Sequence, residues 1–454
     1  MIPGIMGSEL VDAASGRVLW GINDPRWYVK AWLSGTGLSP LHLTPDEREG
    51  TIGRVRPSRL LRAPAYAPVL RGIEPYARLV AAVRGCMADP GAVLEFPYDW
   101  RLPVAVNARL LAAAAERHLE AWRAADPRNR QAQLVLVAHS MGGLLAWHFT
   151  ALLGGSALVR STVTLGTPFF GSVKAALILG TGVGGPLPLP KGRLRALAAT
   201  LPGLYDLLPR YRCVDEGTTA RRLTAGDVGS LGGDDELAAA SSAWHEHLAA
   251  APRAAPDARV QLVGDRQRTL QSLTLRDGVP RGHAVTCRPA ADGSIERVDL
   301  SGDETVYAEA AALPGVQALP LPQSHSGLCN AEEVAMTVRR VLLGLDRGPW
   351  LAPSGGVGLR LPDLVVAGEA FEVAVDYCDS PVGVRCTVED AATGRVVDRP
   401  LLAQRDGVVR ASAVLGRPGL YRLGVKTRGF DAVTQLVLAG PAAHTDRGAD
   451  SGRE

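Results

Sequence analysis

The 454-residue chain carries almost no excess of one charge. Lys and Arg number 49 against 46 Asp and Glu, a formal balance of +3. So small an excess gives no argument for a nucleic-acid partner. No run of eighteen apolar residues occurs, so no membrane-spanning helix is expected. A signal peptide is missing too, because the chain opens inside a motif; the expected location is cytoplasmic, and the N-terminus reads as truncated. Cysteine is sparse and scattered, at positions 86, 213, 287, 329, 378 and 386, with neither C-x-x-C nor a metal-ligand spacing. Reduced thiols, no metal and no other cofactor are the simplest expectation. A Cys378–Cys386 bridge across a hairpin is the lesser alternative. Arg far outnumbers Lys while Ala and Gly abound, which fits a GC-rich genome better than a binding surface.

What is present is organised around Gln133 to Thr150, QLVLVAHSMGGLLAWHFT. Leu134 to Val137 is a short apolar, β-branched run, as suits a buried parallel strand. Leu144, Leu145, Trp147 and His148 continue in helical register. A strand that swings at once into a helix crowds the backbone, so only small residues fit around the turn. Ala138 lies two before Ser140 and Gly142 two after it, a nucleophile elbow with Ala replacing the first Gly of G-x-S-x-G. The turn lifts the Ser140 hydroxyl to a helix N-terminus, where the Met141 N–H can stabilise an oxyanion. The plain alternative is a serine that caps a helix.

Upstream, Met1 to Ser8 (MIPGIMGS) reads as a strand end and a sharp Pro-Gly turn that aims the Ile5 amide at the same place. From Trp20 to Ala67 periodicity fades, while Pro and Gly recur and Trp20, Trp27, Tyr28 and Trp32 gather. So long an irregular insertion reads as a cap or lid. Its aromatics would either meet acyl chains or a membrane surface, or pack the cap itself. Tyr76–Met87 and Asn107–Ala125 read as helices around an Ala92–Phe96 strand. Ser161–Leu165, Arg259–Gly264 and Gln317–Leu321 read as further strands, and Ala331–Leu343 as a last helix. This alternation predicts an α/β fold, a doubly wound and mostly parallel α/β-hydrolase sheet with cap insertions at about 20–70 and 173–258, within residues 1–349. The second insertion includes a Gly/Pro-rich apolar stretch at Leu177–Leu189 and helices near 194–201 and 236–250. His245 and His247 are expected on the surface, since two apart on a helix is a poor metal spacing. After a Leu351–Gly356 linker the period switches to short strands, predicting an all-β immunoglobulin-like sandwich over 357–440 and a disordered tail over 441–454.

A serine hydroxyl needs a base to take its proton and an acid to orient the base. In this fold the chain order is Ser, acid, His. Ser140, Asp303 and His325 satisfy it, each at the end of a predicted strand. Gly302 would let the loop turn the Asp303 carboxylate toward the sheet. Asp299 is the rival acid but falls inside a strand; His283 precedes the acid; His139 is expected to point away from the serine.

Together IPGIMGSEL, FPYDWR, AHSMGG, LGTPFFGS, YDLLP, GDETV and SHSGL, in that order over residues 1 to about 345, resemble the lecithin:cholesterol acyltransferase family of α/β-hydrolases. That family includes lysosomal phospholipase A and phospholipid:diacylglycerol acyltransferases. The resemblance implies an acyl-enzyme formed on a serine from a lipid ester, with transfer to a lipid alcohol or to water. It implies Ser140, Asp303 and His325 as triad, the N–H groups of Ile5 and Met141 as oxyanion donors, and Asp99, Trp100 and Arg101 as support around the site. The chain departs from the family's secreted members in having no cysteine between Trp20 and Ala67, and the sandwich lies outside the resemblance. Two other readings stay open: a short-chain carboxylesterase, and a partner-controlled effector or binding module whose sandwich docks a protein. The expected partners are a lipid or acyl-ester substrate and a membrane surface touched transiently by the cap.

Overall fold

The computed structural model describes residues 1–24, 27–28, 31, 37–67, 71–180, 191–251, 258–276, 278–345 and 355–441. Trp32, most of the Leu351–Gly356 linker, the apolar stretch after Gly180 and the tail beyond Pro441 lie outside them.

Four strands make a parallel sheet in the order Ala318–Leu321, Ala258–Gly264, Val159–Leu165, Leu134–His139. Val163, Leu165, Val260, Leu262, Leu319 and Leu321 of these strands are buried, and so are the polar Thr162, Thr164 and Gln261, as in a sheet covered on both sides. Val163, Val260 and Leu319 pack on one side with Leu79 and Val83 of the Ala77–Arg84 helix and with Val334, Val338 and Val341 of the Glu332–Leu342 helix. On the other side Leu111 and Ala115 of the Val104–Ala125 helix meet Leu144, Leu145 and Phe149 of the Met141–Leu152 helix. The sheet is doubly wound. Ile2 extends it beside the elbow strand, donating to Val137 O at 2.9 Å and accepting from His139 N at 3.0 Å.

The Ala92–Phe96 strand does not form as predicted. Pro90–Ala92 is a single 3-10 turn closed by Val93 N to Pro90 O, and beyond it Leu94 O and Phe96 N bond to Met1 while Glu95 pairs with Arg84. Its neighbour in the sheet is just the Met1–Ile2 pair before the turn at Pro3–Gly4, so no ladder can build.

Between Trp20 and Ala67 the chain is more regular than its pattern suggests. Val55–Leu60 pairs with Ser8–Asp12, which pairs with Val18–Trp20, all antiparallel, and Ala65–Ala67 forms a hairpin with Arg71–Ile73. Only the ends of Val55–Leu60 are buried, so hydrophobic alternation could not reveal it. Trp20 and Tyr28 are buried and make edge-to-face contact with each other, and Trp20 does so with Trp100. These aromatics pack the protein.

The second insertion folds as the helices Val173–Gly180, Lys191–Ala198, Pro202–Tyr205, Ala225–Ser230 and Asp235–Ala250. Beside them lies a sheet ordered Val279–His283, Ser272–Arg276, Val214–Asp215, Ala220–Arg221, which joins residues beyond 258 to the insertion. His245 corrects the sequence reading. It is buried, with Nε2 2.8 Å from Asp206 O, whereas His247 is exposed. The helix turns the ring toward the Tyr205–Asp206 segment, a tertiary contact that spacing alone does not report.

At the C-terminus two mainly antiparallel sheets face each other as a β-sandwich. One runs Gly358–Arg360, Ala370–Asp376, Val408–Val414, Ala403–Arg405; the other Leu364–Val366, Val433–Gly440, Gly419–Lys426, Arg385–Asp390, Val396–Asp398. Val373, Val388, Val409, Leu423 and Val437 fill the space between them. The second sheet is buried on its outer face as well, where Leu364, Leu420, Leu436 and Leu438 join the core around the elbow helix. All six cysteines are free; Cys386 points into the sandwich core while Cys378 donates to Ser380 O. No helix among the described residues is long and apolar enough to cross a membrane.

Candidate active site

The elbow is strained where the sequence needs it to be. Ser140 has φ 52° and ψ −128°, a region that side chains rarely occupy. Its N–H bonds to Leu165 O at 2.8 Å, and its O accepts from Gly143 N at 2.9 Å. Gly142 admits no side chain, because a Cβ there would run into the carbonyl oxygens of Ile2 and Pro3. Gly4 is equally cramped: its Cβ would sit 2.8 Å from the Ser140 Cβ. The Pro-Gly turn therefore lies against the serine, closed by Gly7 N to Gly4 O at 3.0 Å. Its positive φ falls on Met6 rather than on a glycine, with Met6 O held by Trp20 Nε1 at 2.8 Å. Among the described residues the N–H groups of Ile5 and Met141 donate to no partner.

Ser140, Asp303 and His325 meet although 163 and 22 residues of sequence separate them (303 − 140 and 325 − 303). His325 Nε2 is 2.9 Å from Ser140 Oγ, and Nδ1 is 2.7 Å from Asp303 Oδ2. Asp303 Oδ1 accepts from Thr305 N at 2.9 Å and Val306 N at 2.7 Å. The carboxylate acts only as an acceptor, so Nδ1 carries the imidazole proton and the Nε2 lone pair faces the hydroxyl. His325 N also donates to Asp303 O at 2.8 Å, locking the two loops together.

Gly302 does its work differently from expectation. Positive φ falls on Ser301 (56°) and Glu304 (80°). Gly302 is needed for close packing, since a Cβ there would lie 2.6 Å from Tyr307 Cα. Asp299 follows the Ile295–Val298 strand and binds Gln271 Nε2 at 2.7 Å, while His283 pairs with Thr274 Oγ1; neither reaches the serine.

His139 belongs to the site more closely than its register suggests. Its Nε2 lies 3.0 Å from His325 O, a pure acceptor, so Nε2 carries the proton. Nδ1 then accepts from the Tyr76 hydroxyl at 2.8 Å, which itself accepts from Gly4 N at 2.8 Å. One buried chain thus joins the Pro-Gly turn to the His325 loop. Burial, reinforced by the neighbouring His325, lowers the His139 pKa to about 3, so the ring stays neutral. The only sequence hint was a histidine next to the nucleophile and a tyrosine opening a predicted helix.

Ser140 opens on a small cavity of about 40 Å³ with Ile5, Ile73, Ile178, Leu204, Leu207 and Val306 in its wall. Lys174 also lines it, its Nζ 3.2 Å from Thr305 Oγ1. Asp99, Trp100 and Arg101 stand behind this wall. Arg101 is buried and bonds Asp99 at 2.7 and 2.9 Å and Glu47 at 2.9 Å. Trp100 Nε1 donates to Ser8 O, and Gly203 N donates to Arg101 O at 3.2 Å. Their backbone seats the segment that supplies Leu204 and Leu207. No group of three or more His, Cys, Asp or Glu among the described residues is placed to hold a metal ion.

The sequence profile of the lecithin:cholesterol acyltransferase family matches residues 71–230. Over that segment the chain is similar to the lecithin:cholesterol acyltransferase family, and its doubly wound parallel sheet is that of an α/β-hydrolase. The family segment spans the elbow, LGTPFFGS and YDLLP and ends before Asp303 and His325. No curated protein matches the chain. Similar solved structures include the Tle4-Tli4 complex, at 16% identity over 77% of this chain and 98% of that one, TM-score 0.48. The mature Bacillus licheniformis lipase BlEst2 aligns at 17% identity over 53% and 74%, TM-score 0.30.

Proposed function

We propose that the protein is a serine-dependent lipid acyl-ester hydrolase or O-acyltransferase, with residues 1–349 as its catalytic unit. The 2.9 Å approach of His325 Nε2 to Ser140 Oγ, at the floor of an apolar cavity, is the observation that supports this reading most. His325 takes the Ser140 proton as the hydroxyl oxygen attacks the ester carbonyl, and Asp303 steadies the imidazolium. The Ile5 and Met141 N–H groups stabilise the resulting oxyanion. Collapse expels the alcohol, which receives its proton from His325, and leaves an acyl-Ser140 ester. Water or a second alcohol then gives its proton to His325 and attacks that ester. The apolar residues around Ser140 suit the acyl part of an ester substrate.

Turnover of p-nitrophenyl esters of rising chain length tests the reading. Activity should increase with chain length, and Ser140→Ala should lower kcat by at least about 10³. Preference for acetate or butyrate would indicate the short-chain esterase. No turnover with any ester would point instead to a partner-controlled module. Incubation with labelled phospholipid and an alcohol then separates transfer from hydrolysis, by whether label appears in a new ester or in free fatty acid.

A further inference from the structure

The sandwich is more than an appendage by its contacts. Its Val433–Gly440 strand presents Leu436 and Leu438 to the core around the elbow helix, while Val433 and Val437 face the sandwich interior. Gly72, next to the cavity residue Ile73, packs so tightly on Leu436 that a Cβ there would overlap it. Arg422 of the sandwich grips buried Glu74 with two bonds of 2.6 Å.

Two buried glutamines carry this contact into the site. Gln267 runs beside Asp303, its N–H bonded to Gly302 O at 2.9 Å. Its side chain accepts from Leu359 N at 2.9 Å and donates to Val357 O at 3.3 Å, both in the first sandwich strand region. Gln323 lies two residues before His325. Its side chain donates to Ala432 O at 3.0 Å and accepts from Thr434 N at 3.4 Å. Each amide thereby pairs with a sandwich strand as a neighbouring backbone would. Ser324 Oγ adds a bond to Thr434 O at 2.6 Å, and Ser326 Oγ one to Gly72 O at 2.7 Å.

We propose that the sandwich is a working part of the active site, fixing the Asp303 loop through Gln267 and the His325 loop through Gln323. The proposal rests on the triad reading above. Both loops are irregular, and the first contains two residues of positive φ, so their shape depends on what they are tied to. Misplacing a catalytic base by about 1 Å can lower a rate about 10²-fold. Gln267 and Gln323 are positioning residues; neither touches substrate.

The test uses the full chain with Gln267→Met, Gln323→Met and the double variant, which keep the side-chain volume and delete the amide. Active sites are counted by a fluorophosphonate label on the serine. Per labelled site, kcat for a p-nitrophenyl ester should fall about 10- to 100-fold in the double variant while KM stays within about twofold. Exposed Leu401→Ala on the same sandwich should change neither. Wild-type kcat per labelled site in the double variant overturns the proposal, and so does an equal loss in Leu401→Ala. If the methionine variants do not fold, Ser324→Ala removes the bond to Thr434 O together with the longer one that Ser324 Oγ accepts from Gly327 N at 3.2 Å, and should cost roughly 3- to 10-fold in kcat; no loss overturns the proposal. Retained turnover in Ser140→Ala would defeat the underlying triad reading, whatever the glutamines do.

Discussion

Ser140 is held by its neighbours more than by its own loop. Pro3–Gly4 presses on one side, Leu165 O fixes its amide, and Gly142 leaves room for the Ile2 and Pro3 carbonyls. Gly142→Ala should therefore push the turn away and lower kcat by at least about tenfold, with a smaller effect on KM. Steady-state kinetics at matched active-site concentration would read this out. Tyr76→Phe is a quieter change with a definite cost. It leaves the Gly4 N–H and His139 Nδ1 buried without their shared partner, for a loss of about 1–3 kcal/mol of stability. Denaturant unfolding measures that loss, and an unchanged midpoint would show that water replaces the hydroxyl.

Among elements, the Arg71–Ile73 strand carries unusual weight for its length. It pairs with Ala65–Ala67 on one edge, lies under Leu436 of the sandwich, and gives Ile73 to the cavity. Gly72→Ala should separate it from the sandwich, destabilising the protein by about 1–3 kcal/mol as overpacking does. The melting midpoint should drop. An unaltered midpoint would mean the two surfaces adapt without penalty. The Asp99–Arg101–Glu47 cluster is a second joint, linking the FPYDWR segment to the Pro45–Arg48 helix. Arg101→Met would leave the buried Asp99 carboxylate without its cation, while Glu47 keeps Arg54, at roughly 3–5 kcal/mol, and would leave little folded protein to assay except at low temperature.

For the whole molecule the clearest expectation concerns acid. Burial is the main cause that keeps His139, His148 and His245 neutral, with pKa values of about 3, about 4 and about 3 against 6.5 for an exposed imidazole. As pH falls below 6.5 the unfolded chain protonates all three while the folded chain does not, so the unfolded state binds more protons and stability declines. Asp206, raised to about 6 by burial, and Glu333, raised to about 7 by burial and by Asp431, act in the opposite sense because the folded state takes up their protons first. Three imidazoles outweigh two carboxyls, so the melting midpoint should fall steadily from pH 6.5 to about 4. A midpoint that is flat or rises over that range contradicts the assignment.

The amino-acid sequence by itself determined the parts whose physics is local. An apolar run, a tight small-residue turn and a helical register announced the elbow, because each depends on residues within a few positions of Ser140. Strand-like alternation announced the sandwich for the same reason. The order of serine, acid and histidine selected His325 over His283, strand register selected Asp303 over Asp299, and the fold brings Ser140, Asp303 and His325 together. Tertiary structure alone decided the rest. It buried His245 against Asp206, made His139 a bridge between Tyr76 and the His325 backbone, and moved the backbone strain from Gly302 to Ser301 and Glu304. It also drew Gln267 and Gln323 onto the sandwich. The hydrogen bonds of His245, His139, Gln267 and Gln323 reach partners 39 to 186 residues away, and bonds of that reach leave no periodic trace in the chain, because periodicity records which face is buried and not what it is buried against.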